Sequence, residues 1–338
     1  MTLIARRCSW QFRPVKISNI MIAEYMKSTM LPMALDNFSS QDEILSRRES
    51  NLRDIISRMT PEQRDYWFAG VDVRSTDDLL KIPKRTPEDI LNLQLAQPPF
   101  GLFTPGPIMS MSSGTTAGVR KLFPRSLDDY YRYTLGNARL LLKYGIDDTD
   151  VFSSTDTGGM FLAHLSYEEA SMVFCGARRA RTSEPSLVKR LEFMGEMGVT
   201  VLSATCTKLL RMAKLNPKKY MKRPMKMVMS LGEKLHDAEE IAEAFGVKHV
   251  VDSYGAVEFG SIYWTCPAGH KHVNTDMLFL ETTPDITYFS NMSSLPVFRY
   301  ALGEKLSYSY KGQCECGSHL PTVDAFEVKG PDRANKVD

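Results

Sequence analysis

Between residues 126 and 255, short apolar runs alternate with stretches of helical periodicity, and no other feature constrains the fold as much. "LDDYYRYTLGNARLLLKYG" reads as a helix ending at Gly145. "GVTVLSA" (198–204) is a short β-branched run followed by the helical "TKLLRMAKL". "MKMVMSLG" (225–232) is a second run, followed by the helical "DAEEIAEAFG", and "VKHVVDSYG" (247–255) is a third. Short apolar strands separated by helices predict βαβ units and a largely parallel sheet, an α/β fold. Ligands of such sheets sit at the carboxyl ends of the strands, where "SLGEKL" and "SYGAVEFG" fall.

On either side of this core the pattern changes. "SQDE" at 40–43 puts Ser40 and Glu43 at capping-box spacing ahead of Ile44, Leu45, Leu52, Ile55, Ile56 and Met59. "TPEQ" (60–63) and "TPED" (86–89) each offer Thr as N-cap, Pro at the first helical position and an acid or amide at the third. Residues 40–96 are therefore a helical lead-in, broken by "QPPFGLFTPGP" at 97–107. The α/β region runs over 97–260, and 261–329 reads as a smaller, mostly β unit with runs such as "MLFLET" and "LPVFRYAL". Residues 1–39 read as an N-terminal extension.

At 338 residues, 43% hydrophobic and 24% charged, the chain has the composition of a soluble globular protein. A net charge of +2 argues against nucleic acid or a membrane surface as partner. No apolar run approaches the roughly 18 residues of a membrane span. The N-terminus has no acidic residue before Glu24, a faint echo of a transit peptide, but it reads better as a variable extension; a cytoplasmic location is expected. Six cysteines do not make a disulfide scaffold, and Cys8, Cys175 and Cys206 read as isolated thiols.

Two clusters carry chemistry. "SSGTTAG" (112–118) packs four hydroxyls and two glycines ahead of Arg120 and Lys121. Such a loop is either a solvated turn or a phosphate cradle, in which small residues let backbone N–H groups converge on an anion and the cations add charge. It is not a Walker loop, because the G-x-x-x-x-G-K-[ST] spacing is absent. "CPAGHKH" (266–272) with "CECG" (314–317) offers Cys266, Cys314, Cys316 and either His270 or His272. A Cys₃His set is a common zinc complement, but spacing alone leaves zinc and unpaired surface thiols equally open.

Read in order, "STDDLLKIPKRTPEDI", "SSGTTAGVRK", "SLGEKL", "DSYGAVEFG", "HVNTDMLFLE" and "FRYALGE" resemble the acyl-adenylate-forming enzymes, nearest to the phenylacetate–CoA ligase-like branch. The resemblance covers roughly residues 75–338, collinearly. It implies that Ser112, Ser113, Gly114, Thr115 and Thr116 hold the β- and γ-phosphates of ATP, with Arg120 at the family's loop-lysine position. It implies that Gly232 and Glu233 line the adenine and acyl pocket, that Tyr254 stacks on adenine with Gly255 giving close approach, and that Glu258 helps hold Mg²⁺. Glu258, Thr115 and Arg120 would be the catalytic groups. Asp276 and Glu281 match an acidic pair in the family. Arg299 and Tyr300 precede the position of a ribose-gripping Asp, which is Glu304 here. Some members of the branch carry a structural zinc at matching places, and His272 fits their register better than His270.

The chain departs from the pattern at Ala117, at Arg120, at Val257 and at Glu304, which is one methylene longer than the family's Asp. "VKGPDRANKVD" (328–338) resembles the start of the hinge to a small C-terminal domain that supplies a lysine to the first step; the chain is expected to be cut short there. The implied activity is ATP-dependent conversion of a carboxylic acid to an acyl-adenylate with release of pyrophosphate. The acyl group would then pass to CoA, a carrier-protein phosphopantetheine or an amine. The acid is not legible; an aryl or arylacetic acid follows only from analogy with the branch. The competing expectation is a catalytically inactive nucleotide- or acyl-binding module. A hydrolase built on the Cys/His cluster is disfavoured, because four protein ligands leave no open coordination position. A homodimer is left open.

Overall fold

Helix starts follow the capping residues. In the computed structural model, which describes residues 26–97, 100–103, 106–112, 120–155, 162–182 and 184–328, helices span Gln41–Arg58, Pro61–Phe68 and Pro87–Ala96. Thr60 and Thr86 form complete capping boxes with Gln63 and Asp89. Ser40 also caps, accepting from Glu43 N, but the Glu43 carboxylate takes the N–H and hydroxyl of Ser39 instead of the Ser40 N–H. The reciprocal bond has moved one residue upstream.

The alternating region folds as its pattern predicts. Strands Val151–Ser154, Val201–Ala204, Met227–Ser230 and Val251–Ala256 are parallel, and Arg178–Ala180 adds a parallel edge. Helices Leu127–Lys143, Leu162–Cys175, Leu187–Met197, Cys206–Ala213 and Ala238–Phe245 intervene. The continuous apolar runs have a clear physical reason. Phe152, Val201, Met227 and Val251 pack into one core, and Val151, Leu202 and Val228, one residue out of phase, pack into another on the opposite face.

The β-rich region continues the same sheet. From Val251–Ala256 the order runs through antiparallel Gly260–Thr265, Lys271–Val273 and Thr322–Val328 to Glu304–Ser309, making nine strands in all. Leu278–Thr282, Thr287–Asn291 and Tyr300–Ala301 form a separate three-stranded sheet. Between them lies a third core, where Leu52, Ile55, Trp67 and Phe68 of the helical lead-in meet Phe289, Phe298 and Tyr300. The lead-in thus covers the antiparallel half, while Ile44 at its start joins the core under the parallel strands. Residues 30–38, assigned from sequence to an extension, are packed: Met30, Ala34 and Phe38 are buried with Leu135 and Trp264. Among the described residues no helix is long and apolar enough to cross a membrane.

Candidate functional site

A two-stranded hairpin, Ile108–Met111 with Leu122–Arg125, carries the Ser/Thr/Gly loop at its tip. Ser113, Gly114, Thr115 and Thr116 lie outside the described residues. The base of the loop is closed by Ser112 and Lys121: Ser112 N donates to Lys121 O and Lys121 N to Ser112 Oγ, each at 2.9 Å. Ser112 is thus occupied in pinning the loop. Of the two cations that follow, Arg120 is exposed and Lys121 is buried.

Lys121 points at Glu258. Its Nζ is 3.5 Å from Glu258 Oε1, and both side chains are less than one-tenth exposed. Tyr300 Oη donates to the same oxygen at 3.3 Å, and Asn291 Nδ2 donates to the Glu258 carbonyl at 2.9 Å. Burial, then the charges of Glu258 and Glu304, push the Tyr300 phenol far above its ordinary value, so it stays a donor. Arg125 ties the hairpin to the same turn. Its guanidinium, wholly buried, donates to Val257 O and Ser110 Oγ and lies 4.6 Å from the Tyr133 ring centroid. Two cations and one carboxylate therefore meet in a low-dielectric place, an arrangement that favours an anionic ligand. From the sequence Lys121 reads only as one of two cations following the loop. Arg125 had no signal at all, since an arginine ending a strand is ordinarily a solvated side chain.

The remaining expected residues are spread around the carboxyl ends of the strands. A cavity of about 100 Å³ lies there between helices Leu127–Lys143 and Leu162–Cys175, and Gly232, Gly255 and Val257 are among its walls. Gly232 is exposed, with φ +80° and open space where a side chain would stand. Gly255 is required by the chain itself: a Cβ there would sit 2.5 Å from the Gly260 carbonyl oxygen, at a register shift between two strands. Glu233 accepts from Thr207 N at 2.8 Å, at the start of helix Cys206–Ala213. The Tyr254 ring packs 4.7 Å from Phe326 and 5.5 Å from Tyr263 by centroid. Glu304 is 1% exposed, at the start of its strand.

The acidic pair is divided between two structural contacts. Asp276 is completely buried in a bidentate bond with Arg139, at 2.8 and 2.9 Å. Glu281 clamps Arg299 at 2.7 and 2.9 Å, and Arg299 also donates to Ile82 O at 2.5 Å. Arg299 thereby anchors the lead-in and does not stand beside Glu258.

The cysteine–histidine residues do converge. The ligand atoms of Cys266, His272, Cys314 and Cys316 all lie within 4.8 Å of one another, so the cluster could hold a zinc ion. Two matching knuckles present the thiols. Cys266 N donates to His270 O and Gly269 N to Cys266 O, both at 2.8 Å; Cys314 N donates to Ser318 O at 2.8 Å and Gly317 N to Cys314 O at 2.7 Å. Gly269 and Gly317 have φ of +91° and +82°, conformations a side chain would resist. His272 Nδ1 donates to Leu320 O at 2.9 Å, leaving Nε2, 3.4 Å from Cys316 Sγ, with the lone pair. His270 is exposed and lies outside the four, though its Nδ1 is 3.2 Å from Cys314 Sγ. Hydrogen bonding from Cys316, and after opposing burial from His272, holds the Cys266 thiol down to about 3, so one thiolate is already favoured. Four protein ligands make a closed site, suited to bracing the strands that carry it.

With the geometry in view, the class of fold is plain: the chain is structurally similar to adenylate-forming ligases over most of its length. Two structures of 2-hydroxyisobutyryl-CoA ligase are similar over 86% of this chain. One, with 2-HIB-AMP and CoA in the thioesterification state, has a TM-score of 0.70 at 17% identity and is covered over 69% of its own length. The open conformation has a TM-score of 0.70 at 15% identity, with 75% of its length covered. Apo MbtA of Mycobacterium smegmatis gives a TM-score of 0.50 at 16% identity over 75% of this chain; the chain spans about half of that protein, 54%. No protein-family model and no curated protein matches the sequence.

Proposed function

We propose that this chain is the large domain of an acyl-adenylate-forming ligase of the phenylacetate–CoA ligase-like branch. The observation that carries the reading is the meeting of Lys121, Arg125 and Glu258 between the stem of the Ser/Thr/Gly loop and the carboxyl end of strand Val251–Ala256. In the proposed reaction a carboxylate oxygen attacks the α-phosphorus of ATP. The bond to the β-phosphate breaks and pyrophosphate leaves. A thiol of CoA or a carrier phosphopantetheine, or an amine, then attacks the acyl carbon and releases AMP.

Residues 112–116 and Arg120 would bind the phosphates, Gly232, Glu233, Tyr254 and Gly255 the adenine side, and Glu304 the ribose side, while Arg299, committed to Glu281 and Ile82 O, would only position the segment that precedes Glu304. Glu258 offers the carboxylate oxygens that Mg²⁺ prefers; the ion would neutralise phosphate charge. Lys121 supplies a fixed positive charge beside that carboxylate, and Tyr300 holds its orientation, so the chain's contribution is positioning and preorganised electrostatics.

A second reading, an inactive nucleotide- or acyl-binding module, is favoured by two contacts: Lys121 already neutralises Glu258, and Glu304 is buried. Mg²⁺-dependent ATP–pyrophosphate exchange across a panel of acids, on this chain and on a form extended through a C-terminal domain, separates the two. Acid-dependent exchange that falls at least 100-fold in Glu258→Gln supports adenylation. ATP binding without exchange in the extended form selects the binding module.

A further inference from the structure

Two cations approach Glu258, and they are held in opposite ways. Arg125 is fixed: it is completely buried, and its guanidinium donates to Ser110 Oγ, to Phe123 O at 3.3 Å and to Val257 O, the carbonyl next to Glu258. Lys121 is held loosely. Among the described residues its Nζ meets one polar group, Glu258 Oε1, at 3.5 Å, longer than an ordinary hydrogen bond. Its only other contact of note is the face of Tyr300, 5.7 Å away at the ring centroid. An ammonium carries three donors on a flexible stem, so most of this one's hydrogen-bonding capacity is unspent. The Lys121 backbone closes the base of the Ser/Thr/Gly loop with Ser112, so the ammonium springs from the stem of the loop expected to receive phosphates.

In this arrangement Glu258 is a poor seat for a metal ion arriving alone. Oε1 faces the Lys121 charge and also accepts from Tyr300 Oη at 3.3 Å. The neighbouring oxygens already accept hydrogen bonds: the Glu258 carbonyl from Asn291 Nδ2 at 2.9 Å, Asn291 Oδ1 from Ser293 N at 2.8 Å and Ser294 N at 3.1 Å, and Val257 O from Arg125. Mg²⁺ demands an octahedron of oxygens and is usually held by one or two carboxylates together with substrate phosphates. Beside Glu258 alone, a divalent charge would meet Lys121 and Arg125 in a low-dielectric place and gain one carboxylate that is already neutralised. Nucleotide reverses the balance. Its phosphate oxygens offer Lys121 short charge-assisted hydrogen bonds, and they supply the ligands a metal lacks.

Resting on the adenylation reading above, we infer that Lys121 is an exchangeable counter-ion. Without nucleotide it neutralises Glu258 and keeps free divalent cations off that carboxylate. When phosphates bind, the ammonium passes from Glu258 to them, and Glu258 is released to the cation that accompanies the nucleotide. No bond is made or broken in the exchange; one ion pair replaces another. Arg125, whose donors are committed to the protein, stays in place throughout.

The test is Mn²⁺ binding, read by electron paramagnetic resonance, to this chain, to Glu258→Gln and to Lys121→Gln, each with and without α,β-methylene-ATP. Without nucleotide, the unaltered chain and Glu258→Gln are expected to bind Mn²⁺ alike, within about twofold, and Lys121→Gln about tenfold or more tighter. With nucleotide, the unaltered chain is expected to hold Mn²⁺ about tenfold or more tighter than Glu258→Gln. By reciprocity Mn²⁺ raises its nucleotide affinity by the same factor that nucleotide raises its Mn²⁺ affinity. Nucleotide-free Mn²⁺ binding that Glu258→Gln abolishes would overturn the inference, because Glu258 would already be open. So would a Lys121→Gln chain that binds no better than the unaltered one, or equal Mn²⁺ affinity of the unaltered chain and Glu258→Gln once nucleotide is bound; each leaves adenylation standing. If Lys121→Gln does not fold, the comparison of the unaltered chain with Glu258→Gln decides. Failure of the nucleotide to bind at all would remove the adenylation reading and the exchange with it.

Discussion

Replacing Arg139 by methionine should strongly destabilise the protein, and the size follows from what the guanidinium holds. It is completely buried and donates to both Asp276 carboxylate oxygens, to Asn274 Oδ1 at 2.9 Å, and to the carbonyls of Ala34 at 3.2 Å and Met33 at 3.4 Å. Burial pulls its proton affinity down, but the Asp276 charge and hydrogen bonds outweigh this and leave it above its ordinary value. Asp276 in turn is bound through its own carbonyl by Asn51. One ion pair thus joins the N-terminal segment, two helices and the β-rich region. Arg139→Met would leave Asp276 charged, buried and unpaired, a loss of about 3–5 kcal/mol. In a chain of this size that corresponds to a fall in Tm on the order of 10 °C. Asp276→Leu made in the same chain removes the orphaned charge, so the double variant should be more stable than Arg139→Met alone, with a coupling energy of about 2 kcal/mol or more. Urea unfolding of the four proteins in the cycle measures it. Additive effects, or a loss below about 1 kcal/mol for Arg139→Met, would refute the structural role. So would an Asp276→Asn variant of unchanged stability in which pyrophosphate exchange is lost, because Asp276 would then belong to the chemistry.

Other outcomes follow from the same contacts. The protein purified in zinc-containing medium should carry about one zinc per chain, read by elemental analysis. Cys316→Ser should lose it, and acidification should release it, because the ligands bind only as thiolates and neutral imidazole. His164, buried with Nδ1 2.7 Å from Ser203 Oγ, is pushed by burial down to about 4. The unfolded chain therefore binds the extra proton between about pH 6.5 and 4, and stability is full above that window and lost as pH falls through it. The total is about 3 kcal/mol, and the part of the pH slope due to this residue should disappear in His164→Gln. Gly255→Ala should cost about 1–3 kcal/mol, because its Cβ meets the Gly260 carbonyl; an unchanged Tm would contradict the close strand crossing.

How far the site was legible differs residue by residue. Ser112 was found because its neighbours are small and hydroxylic, but its hydroxyl proves to be spent on Lys121 N. Glu258 was found through motif order. Its partners Lys121, Tyr300 and Asn291 come from three distant segments, and no local pattern in a sequence reports that they share one carboxylate. Asp276 and Glu281 read as a pair because they match an acidic pair in the resembled family, yet each is claimed by a different arginine.

The sequence by itself determined the elements and their order. Capping residues at Ser40, Thr60 and Thr86 placed the helix starts, and the short apolar runs placed three of the parallel strands, though not Val151–Ser154 or Arg178–Ala180, because both signals are carried by residues a few positions apart. The sequence also supplied three cysteines and two candidate histidines. Only the tertiary structure decided which histidine joins them: pairing of Lys271–Val273 with its neighbouring strands aims His272 at Cys316 and leaves His270 exposed. It alone decided that residues 30–38 belong to the core and that Lys121 and not Arg120 faces Glu258. These are matters of long-range packing and volume, fixed by groups up to more than two hundred residues apart in sequence, such as Asn51 and Asp276.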